Sequence, residues 1–256
     1  MTAVRFERYV AIGDSSTEGL DDPDGQGGFH GWANRLAERI ARIQGRLLYA
    51  NLGVRGRTTR EILEQQLEPA LAMRPDLTTI FSGTNDVVAS RFDAAAFARD
   101  VATIHHRLIE AGATVVTFTL PDLTPVMPLA RRVRPRVLAM NEVIRTVSSA
   151  SGAILVDVAA HPVASDPRLW SEDRLHANAI GHARIAEALA HALGLPGAES
   201  TWAAPLPTVP PKTLLWKVAA EIHWGAKYLV PWLWRHARGR SSGDGQTAKR
   251  PTLEPV

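Results

Sequence analysis

The sequence predicts an α/β protein whose five-stranded parallel sheet is covered by helices on both faces. Three observations carry this reading. Short apolar runs alternate with segments of helical periodicity from about residue 9 to residue 193, the signature of βαβ units. The runs are near-continuously apolar or β-branched, as expected of strands buried on both sides. The polar, glycine-containing turns cluster just after the strands, where open parallel sheets place ligands.

Tyr9-Val10-Ala11-Ile12 is the first strand, and Gly13-Asp14-Ser15-Ser16 is the turn that ends it. Such a turn presents a serine hydroxyl at the carboxyl edge of a sheet, although Gly-Asp-Ser is equally an ordinary helix cap. Residues 18–28 read as a solvated acidic loop, since Asp21, Asp22 and Asp24 lack the closing glutamate of a calcium loop. Residues 32–43 have helical spacing through Trp32, Leu36 and Ile40. Residues 47–52 form a second strand ending at Gly53. Thr58 or Thr59 then caps a helix to residue 71, with Glu61 and Glu64 where the helix dipole favours acids.

Residues 77–81 are the third strand, followed by the loop Ser82-Gly83-Thr84-Asn85-Asp86. A helix over 94–110 stops at Gly112, and the β-branched stretch 114–120 is the fourth strand. Residues 121–135 hold four prolines and the cluster Arg131, Arg132 and Arg134, which reads as a surface loop. A helix over 136–149, a fifth strand over 153–158, a loop with Trp170 and Asp173-Arg174-Leu175-His176, and a last helix over 179–193 complete the body.

Composition narrows the function. The 256 residues contain no cysteine, which excludes disulfides, thiolate metal sites and thiol catalysis. No H-E-x-x-H spacing occurs, so neither a metal nor a cofactor is expected. The net charge of +3 is uneven. Residues 201–256 carry eight basic and three acidic groups, or +5, which leaves 21 basic and 23 acidic groups, or −2, for the rest. A body of that balance argues against nucleic acid as partner. Arg5, Glu7 and Arg8 stand where a signal peptide would need apolar residues, and no apolar run approaches the roughly 20 residues of a membrane span. The expected location is cytoplasmic.

The strand ends offer the parts that acyl transfer to water requires. A serine is a poor nucleophile until a base takes its proton, and histidine is tuned for that. The histidine needs a carboxylate on its other nitrogen, and Asp173, three residues from His176, is within reach. The intermediate's oxyanion needs donors, which the Ser15 and Gly53 N–H groups and the Asn85 amide can supply. Asp14 and Asp86 read as structural caps of their turns. His105 and His106 read as partly exposed helix residues, and His182 as a packing residue beneath His176.

Four blocks in order, Gly13-Asp14-Ser15-Ser16, Asn51-Leu52-Gly53, Gly83-Thr84-Asn85-Asp86 and Asp173-Arg174-Leu175-His176, make the sequence resemble the SGNH, or GDSL-like, hydrolases over about residues 8–194. Ser16 stands where many members have leucine. The resemblance implies a three-layer α/β/α sandwich of flavodoxin-like type. It also implies a serine hydrolase that cleaves carboxylic esters through an acyl-enzyme, with Ser15, Asp173 and His176 catalytic and Ser15, Gly53 and Asn85 forming the oxyanion hole. The expected partner is a small-molecule acyl ester. A thioesterase, a carbohydrate O-deacetylase or an acyltransferase would use the same machinery. A reading of another class is an idle hydrolase fold serving as a membrane-surface or scaffold protein.

Beyond the catalytic domain, residues 1–194, the sequence predicts a proline-rich linker over 195–211, a tryptophan-rich amphipathic helical segment over 212–238 and a disordered tail over 239–256. Five of the seven tryptophans lie after residue 200. Packing of the segment on the body, where it could roof the active site, or on a second subunit is preferred to peripheral contact with a membrane surface, which is the alternative.

Overall fold

The structure is a computed structural model that describes residues 5–210, 213–231, 234 and 242–256. In chain order the elements are β1 (Arg8–Gly13), α1 (Ser15–Glu18), α2 (Gly31–Gln44), β2 (Leu48–Asn51), α3 (Thr59–Gln65), α4 (Leu67–Ala72), β3 (Leu77–Phe81), α5 (Thr84–Val88) and α6 (Ala94–Glu110). They continue with β4 (Thr114–Phe118), α7 (Arg134–Ser151), β5 (Ile154–Val156), α8 (Ala179–Ala192), α9 (Leu214–Trp224) and β6 (Arg250–Pro255). The sheet order is β5-β4-β3-β1-β2-β6, and every pairing is parallel except β2 with β6.

The alternation of side chains along β1 makes the three layers. Tyr9 and Ala11 face a core built with Trp32, Leu36 and Ile40 of α2 and Leu189 of α8. Val10 and Ile12 face the opposite core, with Ile62 of α3, Leu67 of α4 and Ile104 of α6. Since β1 is flanked by β2 on one side and β3 on the other, the chain reverses its direction of growth there. That crevice is where open α/β sheets bind ligands.

The sheet has six strands rather than five, and the sixth lies in the tail expected to be disordered. β6 runs antiparallel to β2, with Leu48 opposite Pro255 and Tyr49 opposite Glu254. It is a weakly apolar strand that gains order from the edge hydrogen bonds of β2 rather than from its own pattern. Lys249 adds an anchor by donating to the carbonyls of Phe29 and His30 at 2.8 and 2.9 Å.

The helix expected over residues 58–71 is two. Thr58 and Glu61 form the capping box of α3. The break at Gln66 follows from Pro69, which has no N–H to give, and from the Gln66 side chain, which pairs with both the N–H and the carbonyl of Gly13. The loop after β3 contains a short helix, α5, capped by Gly83 at φ +109°. His105 is buried in α6 rather than partly exposed, and burial pushes its pKa down to about 4. No helix among the described residues is long and apolar enough to cross a membrane.

Candidate active site

Glycine at position 13 is a steric requirement. A Cβ there would meet the Phe81 carbonyl at 2.4 Å and Thr17 Oγ1 at 2.2 Å. Without a Cβ the chain can turn tightly from β1 into α1 while passing close to the end of β3. Asp14 caps α1 by accepting the Ser16 N–H at 3.0 Å. Ser15 becomes the first residue of that helix, where a backbone N–H has no intrahelical acceptor.

Three sequence-predicted residues meet in one hydrogen-bonded chain across 161 positions of sequence. Ser15 Oγ lies 2.8 Å from His176 Nε2, and His176 Nδ1 lies 2.5 Å from Asp173 Oδ2. The second carboxylate oxygen of Asp173 accepts the N–H groups of Leu175 and His176 at 2.9 and 3.0 Å, which fixes the turn. Burial opposes both charges, but the mutual attraction wins. It holds the Asp173 carboxyl well below the usual range and raises His176 above its ordinary value.

The predicted oxyanion donors are less simply arranged. The Asn85 amide donates to the Arg57 carbonyl at 2.9 Å and reaches Asp14 Oδ2 at 3.3 Å. The Gly53 N–H, expected to serve an oxyanion, is given to Asn51 Oδ1 at 2.9 Å. Asn51 is wholly buried at the end of β2, so its carbonyl needs a donor, and Gly53 is two residues away. A Cβ on Gly53 would also meet the Glu18 N–H nitrogen at 2.7 Å, so close passage of α1 is a second reason for glycine there. Glu18 in turn accepts the Arg55 N–H at 2.9 Å and pairs with the Arg55 guanidinium, joining α1 to the loop after β2.

Asp14 is structural in its contacts, as expected, yet burial pushes its carboxyl up to about 7, against the pull of the Ser16 N–H and His176. Asp86 accepts from the N–H and hydroxyl of Thr59 at 3.0 and 3.1 Å, so it caps α3 across the loops. His182 accepts the Trp32 N–H through Nδ1 and donates to the Leu20 carbonyl through Nε2, and burial lowers it to about 4.

Sequence reasoning missed several neighbours. The acidic loop is not merely solvated. Asp22 is buried and paired with Arg35, while Asp21 reaches the site. The Ser171 hydroxyl lies 2.6 Å from Asp21 and 2.5 Å from Asp173, and Asp21 comes within 4.0 Å of His176 Nδ1. The Ser171 spacing, two residues before Asp173, was a readable turn signal; nothing local marked Asp21. Among the described residues, Asp21, Asp173 and His176 are also the group of ionisable side chains close enough to share a cation. The contacts of Asp173 and His176 already belong to the hydrogen-bonded chain.

Ser15 and His176 open onto a chamber between the sheet and α8. Its walls include Phe118, Leu120, Val158, Leu169, Ile185 and Trp202. Trp202 comes from the stretch after α8, held in place as Arg184 donates to the carbonyls of Trp202 and Ala204 at 2.8 and 2.6 Å. An apolar chamber beside an activated hydroxyl can seat a hydrocarbon chain while its carbonyl reacts.

A doubly wound α/β sheet with this polar chain at its crossover point defines a hydrolase-type architecture. The chain belongs to the GDSL-like Lipase/Acylhydrolase family, whose model matches residues 11–184, and it is an SGNH-type carboxylic ester hydrolase. A relative named GDSL lipase Rv0518, from Mycobacterium tuberculosis, is 28% identical over 201 residues, covering 73% of this chain and 81% of that one. Among solved structures, an acetylxylan esterase from Geobacillus stearothermophilus superposes with a TM-score of 0.65 at 17% identity, covering 78% of this chain and all of its own. A lipase/acylhydrolase from Enterococcus faecalis gives 0.60 at 21% identity, covering 80% of this chain and all of its own. At those identities the likeness is one of fold.

Proposed function

We propose that this ester hydrolase works through an acyl-enzyme on Ser15 and prefers apolar acyl groups longer than acetyl. The observation that carries the reading is the Ser15–His176–Asp173 chain of hydrogen bonds at the mouth of an apolar chamber. His176 takes the Ser15 proton as Oγ attacks the ester carbonyl, then gives it to the departing alkoxide. Asp173 keeps Nδ1 protonated and steadies the imidazolium. The Ser15 N–H receives the oxyanion, the Asn85 amide joins by turning the hydrogen it directs at Asp14, 3.3 Å from its nitrogen, and Gly53 joins if its N–H turns from Asn51. Water activated by His176 then releases the acid.

Ser15→Ala abolishes nitrophenyl ester turnover, a loss of about 10⁴-fold or more in kcat, and abolishes labelling by a fluorophosphonate probe, with the fold intact by circular dichroism. Retained labelling would refute the assignment of Ser15. The acyl preference is read from a nitrophenyl ester series. Each methylene the chamber buries contributes about 0.8 kcal/mol, roughly fourfold in kcat/KM. A profile that falls steadily from acetate would return the enzyme to the deacetylase reading.

A further inference from the structure

The chain leaves the body after α8, crosses the Asp173–His176 turn as α9, and returns to the far edge of the sheet as β6. Both ends of this strap are fastened. Arg184 and Arg168 hold the carbonyls of Trp202, Ala204 and Pro207 at one end, and β6 and Lys249 hold the other.

The inner face of α9 is committed to the turn. Trp224 Nε1 donates to the Asp173 carbonyl at 3.0 Å. Glu221 accepts from Arg174 through both oxygens at 2.8 Å, and the Arg174 guanidinium stacks 4.9 Å from the Trp224 ring. Just beyond, Lys227 and the Tyr228 hydroxyl both reach Glu172, at 2.7 and 3.0 Å. A different face of the same helix carries Leu215 and Ile222, 84% and 69% exposed, with Val218 between them and Val230 further on, half or more exposed.

The composition of the segment points to what covers that face. Residues 212–240 contain six Lys or Arg, of which Lys227 is paired with Glu172, and one acid, Glu221, which Arg174 occupies. Four of the seven tryptophans fall in the same stretch. Two copies of a segment with that excess of positive charge repel, which disfavours a second copy of the chain. Exposed aliphatic side chains in a segment whose sequence is rich in Lys, Arg and Trp match a headgroup layer bearing negative charge.

We infer that α9 is a docking strap for an anionic lipid surface: its outer face seats among the lipid headgroups while its inner face holds the Asp173–His176 turn against that surface. This goes beyond the hydrolase reading, and its test is one of binding rather than turnover. In flotation with vesicles of phosphatidylcholine containing phosphatidylglycerol, the full-length protein floats, and it floats at least tenfold less with phosphatidylcholine alone or at high salt. The double variant Leu215→Glu/Ile222→Glu loses flotation while keeping its circular dichroism spectrum and melting temperature, because both side chains are exposed. Ile43→Glu, an exposed apolar position on the body, retains it. Full-length protein that stays unbound to anionic vesicles, or undiminished flotation of the double variant, overturns the inference. So does a dimer in analytical ultracentrifugation that the double variant abolishes, since the face would then belong to a second copy.

Discussion

Burial works against ionising the Asp173 carboxyl and the His176 imidazole alike, yet each makes the other's charge favourable. Asp173, with its folded pKa depressed, contributes stability above its unfolded value and loses it as pH falls through the folded one. His176, with its folded pKa raised, contributes stability below its unfolded value and loses it as pH rises through the folded one. The pair therefore stabilises most between about pH 4 and 6.5, whereas the proposed base must be neutral. Two outcomes are expected. The melting-temperature deficit of Asp173→Asn is largest near pH 5 and shrinks at alkaline pH. The acid limb of kcat/KM lies above the ordinary histidine value. Asp21 adds a second carboxylate 4.0 Å from the ring. Asp21→Asn should then move that acid limb to lower pH, and a pH–rate profile that does not move would show Asp21 to be a packing residue only.

At the scale of the element, the turn from Ser171 to His176 is short and carries Arg174 at φ +64°, a conformation that costs a non-glycine residue energy. Its geometry is held from outside by Glu221 and Trp224 of α9. Trp224→Phe keeps the ring and removes the donor to the Asp173 carbonyl, and one such hydrogen bond is worth about 1 kcal/mol. The expected result is a fall of several-fold in kcat with KM unchanged, because a loosened turn misplaces the base without altering the acyl chamber. An equal change in both constants would argue instead for a general loss of packing.

At the scale of the molecule, segments far apart in sequence close the chamber and the sheet. Trp202, 26 residues past the Asp173–His176 turn, stands across the chamber with its ring 4.5 Å from His161. Trp202→Ala should shift the preferred acyl chain to greater length in the same ester series; an unchanged optimum would place the chain elsewhere. Removal of residues 249–256 strips β6 and the Lys249 anchor and bares the edge of β2. A loss of about 2 kcal/mol would lower the melting temperature by roughly 4–8 °C, with aggregation through the unpaired edge. Scanning calorimetry and light scattering measure both.

The sequence by itself determined whatever depends on neighbours along the chain. Periodicity marked the five parallel strands and the long helices. Capping chemistry marked Thr58 or Thr59, of which the fold uses Thr58, and the turn at Asp14. The spacing of Asp173 and His176 announced a hydrogen bond that spans three residues. Ser15 and Asn85 were legible because they sit in turns after strands, and turns have a local chemistry. Tertiary structure alone decided the rest. Asp21 enters the site through a hydroxyl 150 residues away. The Gly53 N–H turns to Asn51 because a buried carbonyl demands a donor. β6 becomes a strand because β2 offers it an edge, and α9 folds over the turn because Arg174 and Asp173 present partners to Glu221 and Trp224. Those contacts reward ordering only after distant segments have met, so no local pattern records them.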